Sequence, residues 1–232
     1  MSILDYERLN KEKRKIPDKF EPLRLRIHRA ISWGKRAEQE IEDEYTDIDA
    51  RFIFLWIGLN SLYSKEPKRD DSKQTLPTDT FDELEEYLNV LVPLNSRLIH
   101  ETFWKGTVFQ AGVSLMEDEY LYKSFWKAQV EGDKHEEWRR GLELDKKKFV
   151  EARFLSEMQR KKIPKIFTNT IFRRLCILRN QVIHGSATHK SKHNRKALRR
   201  GVKVLEKSLP VFIDLMIENQ DKCWGTPRFL PK

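Results

Sequence analysis

The stretch Leu178-Arg179-Asn180-Gln181-Val182-Ile183-His184-Gly185 decides how the chain is read. Upstream of it, Ile166, Phe167, Ile171, Phe172, Leu175, Cys176 and Leu178 recur at three- and four-residue spacing, and Val182 and Ile183 continue the pattern. That period marks a buried helix. Pro164 suits the first turn, where a missing N–H costs nothing. Gly185 stops the helix, because glycine takes the left-handed conformation without steric cost. The expected helix therefore covers about 164–184.

Arg179, Asn180 and His184 fall in its last turns. Asn180 and His184 are four apart and share a face. The base of Arg179 points elsewhere, although its long side chain reaches round toward the same spot. A helix C-terminus also favours a protonated histidine. Together the three can grip a phosphate and exchange a proton with it. The alternative is that Arg179 and Asn180 face solvent and His184 only caps the helix.

Working outward, the same helical period recurs. Leu23, Ile27, Ala30, Ile31, Gly34, Ala37 and Ile41 make one stripe, which places a helix at about 19–44. Asp47 or Asp49 caps a second at about 49–64, through Phe52-Ile53-Phe54-Leu55-Trp56-Ile57-Gly58-Leu59-Asn60-Ser61-Leu62-Tyr63. It is apolar nearly all round and should be central, with Asn60 and Ser61 as polar exceptions, and a buried Asn there needs hydrogen-bond partners. Residues 66–77 read as a loop. A short helix at about 80–91 ends before Pro93. Residues 95–110 start helical and then turn irregular.

Leu121, Tyr122, Phe125, Trp126 and Val130 form one helical stripe that Gly132 breaks. Trp138, Leu142, Leu144, Phe149, Phe154, Leu155 and Met158 suggest one or two further helices. The last helix, about 194–219, buries Val202, Leu205, Leu209, Phe212, Ile213, Leu215 and Met216 and contains Pro210, which should kink it. Residues 220–232 form an extended tail. No alternating strand pattern and no internal repeat is visible, so the class is all-α. The length suits one domain, 1–232, with 95–162 a helical insertion.

Composition narrows the partners. The 232 residues carry 45 Lys and Arg against 36 Asp and Glu, a net charge of +9. A basic balance favours polyanions such as RNA or DNA, or an acidic membrane surface. The asymmetry is strongest just after the stretch quoted above: Lys190, Lys192, Arg195, Lys196, Arg199, Arg200 and Lys203 come with no acid before Glu206. These cations suit phosphate contacts, which position a nucleic acid without reading its sequence, or form a solvated helix face. Two cysteines, Cys176 and Cys223, make no disulfide framework. The first fifteen residues have no apolar core like that of a secretory signal, and the longest apolar run is too short to span a bilayer. The expectation is a cytoplasmic protein with no membrane partner.

Other chemistries lack their residues. There is no phosphate-cradling glycine-rich loop, dinucleotide fingerprint or nucleophile elbow. Acidic residues are dispersed, so no two-metal carboxylate cluster can be nominated. His189 and His193 are four apart and could share a helix face as zinc ligands do, but no cysteine or carboxylate nearby completes a site. The expectation is no metal and no cofactor.

Arg179, Asn180 and then His184, near the end of a core helix, resemble the Arg-Asn-x-x-x-His signature of the HEPN superfamily (higher eukaryotes and prokaryotes nucleotide-binding). The aromatic run Phe52 to Tyr63 is similar to the buried helix of several members, including those grouped as ApeA-like. The resemblance covers most of residues 17–219. It implies a bundle of four core helices plus a helical insertion, paired as a homodimer whose signature helices meet.

It also implies a metal-independent endoribonuclease, acting as a toxin or in anti-phage defence. In that scheme a 2′-hydroxyl attacks the adjacent phosphorus, leaving a 2′,3′-cyclic phosphate and a 5′-hydroxyl. His184 would serve as general base or general acid, Arg179 would neutralise the phosphoryl oxygens, and Asn180 would hold the phosphate or orient His184. The basic residues Lys190, Lys192, Arg195, Lys196, Arg199 and Arg200 would bind the RNA. The alternative within the family is a non-catalytic RNA- or nucleotide-binding module, or a toxin silenced by a nucleotidyltransferase or another antitoxin or defence partner. In that paired group a Tyr commonly stands two residues after the motif His; here the position is Ser186.

Overall fold

The computed structural model describes residues 6–40, 47–66, 80–132, 137–155, 166 and 168–229. Among them the protein is all-α. The chain forms two compact units, one of residues 1–94 and 205–232, the other of residues 95–204. The second unit begins at the start of the expected insertion and extends past it to take in the signature helix.

In the first unit, α1 (Tyr6–Arg14) leads into α2 (Glu21–Gln39). The apolar stripe expected of α2 is buried from Leu23 to Ala37; Ile41 lies outside the described residues. At Gly34 the Tyr6 ring occupies the space where a Cβ would stand, so the two helices meet there. Helix α3 (Ile48–Tyr63) starts where Asp47 accepts from the amides of Asp49 and Ala50, satisfying two of its orphan donors. Phe52, Leu55, Trp56, Leu59 and Leu62 are buried, as a central helix requires. Helix α4 (Thr80–Leu91) matches its expected range.

Buried Arg26 sits where α3 ends. Its Nη1 donates to the carbonyls of Leu62 (3.1 Å) and Ser64 (2.7 Å), and its Nη2 to Gly225 (3.3 Å). A cation there answers the unpaired carbonyls and the negative end of the helix dipole. Burial lowers its pKa to about 10.

As far as Phe229 the tail is docked rather than merely extended. The Trp224 Nε1 donates to Asn219 O, Lys65 and Pro227 form one antiparallel bridge, and Arg228 reaches Lys65 O and Glu83. Arg29 donates to the carbonyls of Arg228 and Phe229.

The second unit holds α5 (Ser96–Phe103), α6 (Gly106–Met116), α7 (Lys123–Glu131), α8 (Glu137–Leu155) and α9 (Arg173–Ile183). The last helix, α10 (Lys192–Glu218), contributes its first part to this unit and the rest to the other. The irregular stretch expected before residue 110 is helical from Gly106 onward. Fully buried Trp104 donates through Nε1 to Phe149 O, and Phe109 stacks on Phe149.

The stripe from Leu121 to Val130 is not one helix. The Asp118 carboxylate accepts from Tyr120 N and starts a single 3₁₀ turn, Glu119–Leu121. Tyr122 is then extended (φ −105°, ψ 118°) before α7 begins. The register shifts, so Leu121 and Phe125 are buried while Trp126 and Val130 are exposed. The signature helix also differs at its start. Thr168–Phe172 form a π turn before α9. The Thr170 hydroxyl donates to Ile166 O, the carbonyl that an α-helical Thr170 N–H would use, which loosens the ladder there. Pro164 and Phe167 lie outside the described residues.

Cys176 is buried, Cys223 is exposed, and both are free thiols. No helix of the described residues is long and apolar enough to cross a membrane.

Candidate functional site: the C-terminal end of α9

Helix α9 presents two polar faces, and only one was legible in advance. At about 100° per residue, Arg174, Leu178 and Gln181 fall on one side. Arg174 is 2% exposed and donates from Nη1 to Leu121 O (3.0 Å). Two turns on, Gln181 donates from Nε2 to Tyr120 O (2.7 Å). These two side chains therefore hold consecutive carbonyls of the turn that precedes α7. Arg174 also packs over the Tyr122 ring at 4.4 Å and lies 3.5 Å from Asp145. Burial lowers the pKa of its guanidinium, with Asp145 opposing. The Oε1 of Gln181 accepts from Asn194 Nδ2 (3.2 Å), which ties in the start of α10. One amide so joins three segments, each through an atom of fixed role.

The other polar face carries the signature. Asn180 and His184 are both exposed, and among the described residues neither side chain makes a hydrogen bond. Arg179 is half-buried on the flank, about 100° round from Asn180 and about 140° from His184. A single copy of α9 thus does not gather the trio at its base. His184 caps the helix (φ −86°, ψ 10°), its amide bonded to Asn180 O, and Gly185 follows at φ +73°. The expected stop is where it was placed, with glycine supplying the left-handed residue. Ile183, between Arg179 and Asn180 round the helix, is 50% exposed.

The basic run resolves into two groups. Lys192, Lys196, Arg199 and Lys203 recur at four, three and four residues and are all exposed, so they form one stripe along α10. It is about 16 Å long at about 1.5 Å per residue. Arg195 and Arg200 are half-buried on its flanks. Lys190 lies in the preceding turn at φ 58° and is exposed. His189 is in that turn too, before α10 begins, so it shares no helix face with His193, and that zinc arrangement is lost. Asn60 lies in the other unit, lining a cavity with Arg29, Ser61, Ser64, Pro227, Arg228 and Phe229.

Asp118 is the titratable group that the sequence did not nominate. Burial raises its carboxyl pKa; the Tyr120 amide, Arg200 and Arg174 pull it back, while Glu119 adds to the rise. The readable signal for this part was Arg174 and Gln181, two polar residues seven apart on an otherwise apolar stripe. Polar groups so placed must find partners, here the 118–122 turn. Comparison with family models, with curated proteins and with solved structures gives no match.

Proposed function

We propose that the protein is a metal-independent endoribonuclease of the HEPN type whose reactive groups stand at the end of α9. The observation that carries this reading is the exposed pair Asn180 and His184, their side chains without hydrogen bonds, on one face of a buried helix, followed eight residues later by an exposed basic stripe. The backbones of the two residues close the helix, and their side chains are left without a hydrogen bond inside the described chain. An imidazole there is free to take the proton from a 2′-hydroxyl or to give one to the leaving 5′-oxygen. Asn180, one turn before it, offers an amide donor to the same phosphate. Lys192, Lys196, Arg199 and Lys203 hold the flanking phosphates, with Lys190, Arg195 and Arg200 beside them.

Arg179 faces away from His184 within one chain, and this favours a site completed by a second copy. When two α9 ends meet, the Arg179 of one copy can approach the His184 of the other. Its charge then stabilises the phosphoryl oxygens in the transition state. The exposed Ile183, at the tip of the helix, provides apolar surface for such a meeting.

The same separation would also suit a non-catalytic RNA- or nucleotide-binding module, in which the three groups contact successive phosphates. Incubation of the full chain with structured RNA in EDTA distinguishes the two. The nuclease reading expects fragments ending in 2′,3′-cyclic phosphate and 5′-hydroxyl. Retention of RNA without cleavage would leave the binding module. A role in toxicity or phage defence, with an antitoxin or other defence partner, follows from the HEPN resemblance.

A further inference from the structure

Among the described residues of the second unit, Phe103, Trp104, Phe125, Trp138, Phe149 and Phe172 are buried, and Phe109 and Tyr122 are half-buried. Tyr120 and Trp126 are exposed, at 52% and 44%. We propose that these two rings form a stacking platform for the bases of single-stranded RNA beside the phosphate handled at His184. The inference rests on the ribonuclease reading and adds to it the residues that would choose unpaired over paired substrate.

The rings are held in place. Trp126 Nε1 donates to Tyr120 O at 2.8 Å, the same carbonyl that Gln181 engages. Their centroids are 6.1 Å apart. Both meet the buried Phe125 edge-on, at 5.4 and 5.2 Å, and Phe125 meets Trp138 in turn. A ring already ordered loses little freedom when a base settles on it. The indole N–H is satisfied internally, so the surface that Trp126 shows to solvent is π-face and edge. That surface calls for a stacking partner rather than a hydrogen-bonding one.

Position and charge select the occupant. Gln181 precedes His184 by three residues, so the two side chains are neighbours on the helix surface. The Tyr120 peptide bonded to Gln181 is therefore close to the proposed reacting phosphate. Arg200 acts on Asp118, two residues before Tyr120, and Asn194 ties the start of the basic helix to Gln181. Exposed rings joined through Gln181 and Asn194 to the start of a basic helix match a strand with a charged backbone and open base faces. In an A-form duplex those faces are stacked on one another and cannot reach the rings.

The test uses the full chain carrying His184→Ala, so that binding is read without cleavage. A short fluorescein-labelled single-stranded RNA and its duplex are titrated by polarisation. Trp126→Ala and Tyr120→Ala are each expected to weaken single-strand binding by about five- to a hundredfold, the range of one lost base stack, with duplex binding unchanged. Tyr120→Ala leaves the anchoring carbonyl in place, so it reads the ring alone. Trp126→Phe should keep most of the affinity. If both alanine variants bind the single strand as the parent does, or lose duplex binding equally, the platform is overturned. A wild-type chain that cuts RNA while the ring variants bind normally removes the platform and spares the nuclease. A parent that binds no RNA removes both.

Discussion

In the unit formed by residues 1–94 and 205–232, arginine is a structural cation. Arg26 closes the end of α3, Arg29 holds the carbonyls of residues 228 and 229, and Arg228 meets Glu83 and Lys65 O. Arg26 and Arg29 are satisfied by backbone carbonyls, and Arg228 by one carbonyl and one carboxylate. In the unit formed by residues 95–204, Arg174 plays that part. Beside it, however, Lys192, Lys196, Arg199 and Lys203 stand exposed with no ion pair among the described residues. The same charge thus has two destinies. Where guanidinium groups are turned inward onto carbonyls, the field outside is reduced and the fold is fastened. Where a row of cations has no internal acceptor, it is left to attract a polyanion. Net charge alone does not separate these cases; the location of acceptors does.

The contrast can be broken by substitution, and the largest effect is expected inside. Arg26→Leu leaves the carbonyls of Leu62, Ser64 and Gly225 without their donor. At the low end of about 1–3 kcal/mol for each group left unpaired, since two of the three contacts are only part-buried, a total loss of about 3 kcal/mol is expected. Urea unfolding measures it. A loss below about 1 kcal/mol would show that Arg26 is not the fastening proposed.

The exposed row should behave in the opposite way. Changing Lys192, Lys196, Arg199 and Lys203 together to Gln should leave urea unfolding almost unmoved. RNA affinity should fall by about two orders of magnitude at low salt, and the slope of log affinity against log salt should drop by about 3, at about 0.7 per phosphate contact on a single strand. An unchanged slope would reassign the stripe to a solvated helix face.

The smallest effect is electrostatic. The folded Asp118 carboxyl titrates above its unfolded value because burial outweighs Arg200 and Arg174. The folded state therefore binds the proton more tightly, and its stability falls as pH rises from the unfolded carboxyl pKa through the raised folded one. Asp118→Asn keeps an oxygen for the Tyr120 amide and removes that penalty. A modestly higher Tm is expected at neutral pH, with the advantage vanishing as pH falls below the unfolded carboxyl range. Equal Tm differences at both ends of a pH series would contradict the burial account.

How much was legible depended on whether a residue's role was local. Helices α2, α3 and α4, and the stop at Gly185, follow from period, caps and glycine, all written within a few residues. The all-α class followed from the same signals. The failures were non-local. A stripe from Leu121 to Val130 looked continuous, but Asp118 turns the chain just before it, and the carbonyls of Tyr120 and Leu121 are taken by residues more than fifty positions later. Trp126 falls on the same stripe as Phe125 by spacing, yet it is exposed, because hydrophobicity does not say which face survives a register shift. The signature itself was legible as three residue types. Its distribution around the helix follows from geometry, and its exposure required the fold.

The most direct measurement is RNA cleavage in EDTA by Arg179→Ala, by His184→Ala, and by the two proteins refolded together. If two α9 ends build the site, each variant alone should lose at least about a hundredfold in rate. The mixture should regain cleavage, because a mixed pair contains one site with both groups intact. A His184→Ala protein that cuts as fast as the wild type would contradict the account.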